Sequence, residues 1–179
     1  MQDWLNTHLA ALDALIADAE ALLPTLTPEQ LNRKPNPKKW SPAEVLDHCL
    51  LAGGSYIPQL ERLLAQSDKY RLQGAEPAIR FTFGGKLFYS FVRPDGRAIP
   101  TVGKFKPTAS SYAPEIVDRY LEYLKTTRAR FAQFQGWNLN RPRLRPQAFP
   151  LVSFTLGEYL RIEVSHQRRH FQQIQRLVG

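Results

Sequence analysis

The chain has 179 residues, of which 43 % are hydrophobic and 22 % charged, and its 24 Lys and Arg against 16 Asp and Glu give a net charge of +8. This length and composition predict one globular domain over residues 1–179, with enough apolar side chains to form a core without a structural metal. The single cysteine, Cys49, excludes an internal disulfide, and no apolar segment approaches the roughly 18 residues of a membrane span.

The basic residues are scattered, which argues against a nucleic-acid partner. Arg141, Arg143 and Arg145 lie among prolines, and the chain has no long Lys/Arg run and no nucleic-acid motif. We therefore interpret the excess charge as a solvated basic surface. The N-terminus has no basic leader followed by an apolar run, so we expect a soluble, cytoplasmic protein.

The first predicted helix runs from about Trp4 to Leu23. Pro24 and then Pro28 are expected to end it. Apolar residues recur on one face at helical spacing, namely Leu5, Leu9, Leu12, Leu15, Ile16, Ala19, Leu22 and Leu23.

The second predicted helix starts at a clear N-terminal signal and runs to about Ala65. Ser41 and Glu44 have the Ser-x-x-Glu spacing of a capping box. Gly53–Gly54 and Pro58 interrupt the helical pattern, and they predict a kink.

Two further helices are predicted in the second half of the chain. The third spans about Pro114 to Phe134, and Gly136 follows it as expected of a helix end. The fourth begins at a second capping box, Thr155-x-x-Glu158, and runs to about Val178.

Residues 67–111 form a long connection between the second and third helices. They contain Gly84–Gly85, Pro94-Asp95-Gly96 and Pro107, which are typical of loops, so we expect an irregular segment with at most a short strand or helical turn. Its aromatic residues are Phe81, Phe83, Phe88, Tyr89, Phe91 and Phe105. Four helices with one long crossover predict an all-α four-helix bundle.

Two of the four histidines, His166 and His170, lie four residues apart in the last helix. This spacing places both imidazoles on one side of a helix, which is how one helix supplies two nitrogens to a metal. Two unrelated histidines would give the same pattern. Gln167 stands where a zinc protease of the HExxH type has its catalytic glutamate, so we reject protease activity.

His48 is the candidate for a third ligand, about two turns into the second helix. Its place at the edge of the apolar stripe fits a ligand at a cavity mouth, and it also fits a half-exposed surface residue. His8 falls on the apolar face of the first helix, and we interpret it as a core histidine. Cys49 turns about 100° away from His48 into the apolar stripe, which favours a buried thiol over a nucleophile.

Two segments resemble the conserved motifs of the DinB superfamily. Residues 40–48, WSPAEVLDH, resemble the W-S-x-x-E-x-x-x-H opening of that family's second helix. Residues 156–160, LGEYL, and 166–174, HQRRHFQQI, resemble its L-G-E-x-L…H-x-x-R-H-x-x-Q-I close. The resemblance covers nearly the whole chain apart from the 67–111 connection.

The resemblance implies a four-helix bundle with a long crossover, and a metal held by His48, His166 and His170. Zinc and nickel are the expected ions, with cobalt, iron and manganese as alternatives. Several relatives are S-transferases that use a low-molecular-weight thiol such as bacillithiol, mycothiol or glutathione, and homodimers are common. Three neutral imidazoles would leave an open position on the ion, which could lower the pKa of a water or thiol.

These observations favour a metal-dependent transferase or hydrolase that acts on a small-molecule substrate. The alternatives are a non-catalytic, stress-related bundle protein that binds a metal or ligand and a basic nucleic-acid-binding protein. The sequence does not identify catalytic residues.

We also predict that part of the 67–111 connection packs over the metal site as a lid. Phe81, Phe83, Phe88, Tyr89 and Phe91 could form an apolar wall. Arg80 and Arg93 could meet an anionic group. Packing of the aromatics on the flank of the bundle, or on a partner chain, is the alternative.

Overall fold

The computed structural model describes residues 3–96 and 100–179, and most of them are helical. The helices in chain order are α1 (Asp3–Leu22), α2 (Pro28–Asn32), α3 (Pro42–Gly54), α4 (Ile57–Leu64), α5 (Ser67–Tyr70), α6 (Phe83–Val92), α7 (Glu115–Ala132) and α8 (Leu156–Val178). Two 3₁₀ turns lie at Leu23–Thr25 and Gly103–Phe105. Two short antiparallel strands, β1 (Arg143–Leu144) and β2 (Phe154–Thr155), pair Arg143 with Thr155 and Leu144 with Phe154.

The helices α1, α3, α7 and α8 enclose the core. Both α1 and α3 pack against α7 and against α8. The first group of buried apolar side chains between them includes Leu5, Leu12, Phe131, Tyr159 and Leu160. The second group includes Leu15, Leu46, Cys49, Tyr120 and Phe171. Within residues 3–96 and 100–179, no helix is long and apolar enough to cross a membrane.

The break predicted in the second helix is present. The chain leaves the helical path after α3 and resumes as α4, with Pro58 in the first turn of the new helix, where its missing N–H costs nothing. Gly53 lies where α7 and α8 approach α3, because a Cβ at this position would stand 1.8 Å from the Tyr123 hydroxyl. The glycine therefore permits the close approach just before the break.

The expectation of an irregular 67–111 connection is wrong for residues 83–92, which form the ten-residue helix α6. Thr82 caps α6 by accepting a hydrogen bond from the Gly85 N–H at 2.9 Å. Gly84 and Gly85 suggested a loop, but a Cβ at Gly85 would lie 1.9 Å from a carboxylate oxygen of Glu158 at the start of α8. Glycine is thus required by helix packing, which overrides its low helix propensity. The 97–99 part of the connection lies outside the described residues.

The other helix ends follow the sequence signals with one exception. Thr155 and Glu158 form the reciprocal capping box at the start of α8. Gly136 has a φ of +78° and ends the turns that follow the last residue of α7, Ala132. Pro28, expected only to end the first helix, instead begins the short helix α2, which Thr27 and Gln30 cap reciprocally.

Candidate metal centre

Three histidines from α3 and α8 converge in the structure. One ligand nitrogen each from His48, His166 and His170 lies within 4.8 Å of the others. The Nε2 atoms of His48 and His166 are 3.3 Å apart. The ring centroids are 4.6 Å apart for His166 and His170, and 4.7 Å apart for His48 and His170. The structure thus brings together the three histidines that the sequence singled out.

The helices that carry these histidines begin at fixed points. Ser41 accepts a hydrogen bond from the Glu44 N–H, and the Glu44 carboxylate accepts one from the Ser41 N–H at 2.8 Å. Lys34 adds an ion pair with Glu44 at 2.7 Å. Reciprocal caps of this kind hold the first turn of a helix in place, so the position of His48 relative to the start of α3 is fixed.

His48 and His170 each have an oxygen atom within hydrogen-bond distance of the ring nitrogen Nδ1. The Nδ1 of His48 lies 2.7 Å from the carbonyl oxygen of Phe105, and the Nδ1 of His170 lies 3.0 Å from Oε1 of Gln173. A carbonyl oxygen can only accept, so Nδ1 of His48 donates and its Nε2 keeps a free lone pair toward the other histidines. Hydrogen bonds behind the ring are how metal-binding histidines are usually oriented.

Asp47 fixes the segment that supplies the Phe105 carbonyl. Its Oδ2 accepts hydrogen bonds from the Thr108 N–H at 2.8 Å, the Thr108 hydroxyl at 3.0 Å and the Tyr112 hydroxyl at 2.8 Å. This carboxylate is adjacent to His48 in sequence and is buried. It therefore ties residues 105–112 to the helix that carries the first histidine.

The three histidines are held neutral by their surroundings. Burial is the main cause that lowers the pKa of each, to about 3 for His170 and well below the ordinary value for His166. The neighbouring His48 also lowers the pKa of His170. Neutral imidazoles have the lone pair that a metal ion needs.

A cavity of about 330 Å³ opens beside the histidines. This is within the size range of small-molecule sites. Its apolar lining consists mainly of Trp40, Ala52, Tyr56, Phe88, Phe91, Val92, Phe105, Phe149 and Ile162. The connection between α5 and α7 thus contributes to the cavity wall, from α6 and from residues near Phe105.

Only some of the aromatic residues expected in this wall lie there. Phe88 and Phe91 line the cavity. Phe81 and Tyr89 instead flank the guanidinium of Arg161, 5.4 and 3.7 Å from their ring centroids. Phe83 points to solvent with 83 % of its surface exposed. The helical geometry of α6 explains the division, because residues 88 and 91 share a face that residue 83 does not occupy.

The arginine at the cavity is not one of the two that the sequence predicted there. Arg93 forms an ion pair with Asp95 at 3.3 Å, and neither Arg93 nor Arg80 lines the cavity. Arg169, between the two histidines of α8, does line it. Its Nη1 donates to the carbonyl oxygens of Phe91 and Arg93, both at 2.9 Å, at the end of α6.

Glu163 is a cavity residue that the sequence interpretation missed. It is 2 % exposed, and its Oε1 accepts hydrogen bonds from the Tyr123 hydroxyl and from Nε2 of Gln167, both at 2.7 Å. Burial raises the pKa of its carboxyl. Its position one turn before His166 on the buried face of α8 could have revealed it. Gln167, which stands in the sequence where a zinc protease has its catalytic glutamate, is fully buried.

His8 and Cys49 lie outside the cluster, as expected. His8 is buried on α1, with Nδ1 2.7 Å from the Trp4 carbonyl oxygen. Cys49 is fully buried, and burial, followed by the charge of Glu163, raises the pKa of its thiol well above the ordinary value. A thiol in that state is a core residue and not a nucleophile.

Comparison with known protein families identifies one match. The family model described as the DinB superfamily matches residues 11–174 of the chain. No curated protein and no solved structure matches it. The family match spans both helices that carry the three histidines, and the chain belongs to the DinB superfamily.

Proposed function

We propose that this protein is a metal-dependent enzyme that acts on a small molecule, as a thiol-dependent S-transferase or as a hydrolase. His48, His166 and His170 hold the ion. The observation that carries the proposal is the convergence of three neutral imidazoles at the wall of a ligand-sized cavity. We also propose that α1, α3, α7 and α8 form a single-domain four-helix bundle, with a crossover between α4 and α7.

The donor set fits a divalent ion. Two nitrogens bound to one tetrahedral zinc at about 2.0–2.1 Å are about 3.3 Å apart. The Nε2 atoms of His48 and His166 have this separation. Two lone pairs at this distance need either a proton on one nitrogen or a cation between them. Three imidazoles suit zinc or nickel best, with cobalt, iron or manganese as further candidates.

The protein's own groups orient the site and shield it. The Phe105 carbonyl and Gln173 fix the rings of His48 and His170, and aromatic side chains line the cavity beside them. An ion bound there would supply Lewis acidity, lowering the pKa of a thiol or water. Glu163 can hold a proton on Oε2, since Oε1 already accepts two hydrogen bonds.

The test is an activity panel on the metal-loaded protein. It pairs bacillithiol, mycothiol and glutathione with aryl halide and epoxide electrophiles, and includes simple esters for hydrolysis. We expect turnover that is lost in His170→Ala and under a chelator, and reduced in Glu163→Gln with the metal still bound. Metal binding without turnover on any of these would support the alternative, a non-catalytic, stress-related protein that binds a metal or ligand.

The homodimer and the cytoplasmic location stay predictions. Light scattering on the purified protein measures the mass in solution, and a value near twice 20.5 kDa would support a dimer.

A further inference from the structure

The cavity beside the histidines carries an excess of positive charge. Among its described lining residues, the cationic side chains are Lys38, Lys39 and Arg169, and the one carboxyl is Glu163. Burial raises the pKa of the Glu163 carboxyl and so disfavours its negative charge. The rest of the lining is largely aromatic and aliphatic.

Lys38 and Lys39 are exposed residues of the cavity lining, and hydrogen bonds hold their backbone. They lie in a turn in which Asn36 accepts from the Lys38 N–H at 3.0 Å and from the Lys39 N–H at 3.1 Å. The turn leads directly to Trp40, whose ring centroid is 5.0 Å from that of His48. The backbone of the two lysines is therefore held next to the residue that packs on His48.

None of the three cations forms an ion pair in the described part of the chain, although the charge of Asp95 does act on Arg169. Within residues 3–96 and 100–179, no carboxylate forms an ion pair with Lys38, Lys39 or Arg169. Lys34, four residues before Lys38, is by contrast paired with Glu44. Unpaired cations around an apolar cavity attract an anion, and they repel a cationic ligand.

We infer that the substrate of this site is an amphipathic organic anion, with an apolar body against the aromatic wall and a carboxylate, sulfonate or phosphate group at Lys38, Lys39 and Arg169. This inference rests on the proposed function for the identity of the site, and it adds the class of substrate. Its physical basis is the combination of an apolar lining with cations at the rim.

The test compares two fluorescent probes that share their aromatic rings. 1-Anilinonaphthalene-8-sulfonate carries the anionic group, and N-phenyl-1-naphthylamine lacks it. Both are titrated into the full chain in the presence of a chelator, so the result does not depend on a bound metal. We expect the sulfonate to bind more tightly, and added salt to weaken the sulfonate alone.

The variant Lys38→Gln/Lys39→Gln should raise the Kd of the sulfonate by about three- to tenfold and leave that of the neutral probe unchanged. Lys69→Gln/Lys125→Gln is the matched control, because it removes the same charge from lysines outside the cavity lining. Ala52→Leu narrows the cavity and should weaken both probes. Ala148→Leu replaces it if the first variant melts early.

Equal Kd values for the two probes, or an equal loss in the two lysine variants, would overturn the inference. Probe binding that is weakened by neither Ala52→Leu nor Ala148→Leu would also overturn it. A protein that binds no metal but holds the sulfonate through Lys38 and Lys39 would overturn the proposed metal function and support this inference. Metal-dependent turnover of uncharged substrates, without preference for anions, would support the proposed metal function and overturn this inference.

Discussion

The Nδ1 atom of His48 lies 2.7 Å from the carbonyl oxygen of Phe105, 57 residues further along the chain. This hydrogen bond joins the helix that carries the first candidate ligand to the segment that closes one side of the cavity. It fixes which nitrogen of His48 faces the other histidines. The connection between α5 and α7 therefore contributes to the candidate site.

Loss of the Asp47 carboxylate should weaken metal binding without removing a ligand. Its Oδ2 holds Thr108 and Tyr112, and through them the segment that begins at Phe105. We expect Asp47→Ala to raise the Kd for Zn²⁺ by about tenfold, as for other residues that orient metal ligands. Tyr112→Phe removes one of these three hydrogen bonds, together with the one that its hydroxyl accepts from the Ala109 N–H, and should have a smaller effect. Competition titration with a chromophoric chelator measures both, and unchanged affinity in Asp47→Ala would contradict the role.

Gly85→Ala should destabilise the protein by about 1–3 kcal/mol, the usual cost of overpacking. The added Cβ would lie 1.9 Å from a Glu158 carboxylate oxygen. That oxygen cannot move freely, because it accepts from the Thr82 N–H at 2.6 Å. Gly54→Ala is the matched control, with no atom within 4 Å of the new Cβ. Urea unfolding measures both, and equal stabilities would show that α6 is loosely packed on α8.

The metal-free protein should lose stability as the pH falls from 7.5 to 5.5. Burial is the main cause that lowers the pKa of all four histidines, so below about pH 6.5 the unfolded chain binds protons that the folded chain does not. Each histidine then contributes a loss of up to about 1.4 kcal/mol per pH unit. Urea unfolding at several pH values, with a chelator present, measures the slope.

The Glu163 carboxyl has the opposite effect on the pH dependence of stability, so a variant without this carboxyl serves as a control. Its raised pKa contributes stability that is fully present below its ordinary value and lost as the pH rises through the folded one. Glu163→Gln should therefore show a steeper loss on acidification than the unmodified chain. A stability that stays level or rises between pH 7.5 and 5.5 in this variant would contradict the assignment of neutral, buried histidines.

Arg169→Met should loosen the end of α6. The substitution removes the donor to the carbonyl oxygens of Phe91 and Arg93 but keeps an unbranched side chain. We expect faster amide hydrogen exchange in residues 92–96. Arg168→Met is the control, since that neighbouring arginine forms an ion pair with Asp18 on α1. Equal protection in the two variants would show that the Arg169 hydrogen bonds do not anchor the helix.

The sequence predicts the parts of the site that depend on local geometry. His166 and His170 share one helix, so their spacing alone places them together, and the capping box at Ser41 and Glu44 sets the height of His48. The mostly helical fold follows in the same way from apolar periodicity. The approach of α3 to α8 is a long-range contact, and the sequence indicated it only through the candidate role of His48 and the family resemblance.

The missed features depend on contacts between distant segments. Glycine is required at position 85 of α6 because Glu158 lies against it, and neither residue reveals this from its neighbours in sequence. The hydrogen bond of Phe105 uses a backbone carbonyl, which every residue has. Arg169 likewise reaches the cavity from α8 through a long-range contact with the end of α6, whereas Arg93 pairs locally with Asp95.

The most direct test of the account is the stoichiometry and ligand dependence of Co²⁺ binding to protein purified without a histidine tag. Visible absorption reports nitrogen ligation of Co²⁺, and the titration gives the number of ions. We predict one ion per chain, with the spectrum lost in His48→Ala and His170→Ala and unchanged in His8→Ala, the one histidine outside the cluster. All variants should remain folded by circular dichroism. No uptake by the folded chain, or equal uptake by the His170→Ala variant, would contradict the three-histidine metal site.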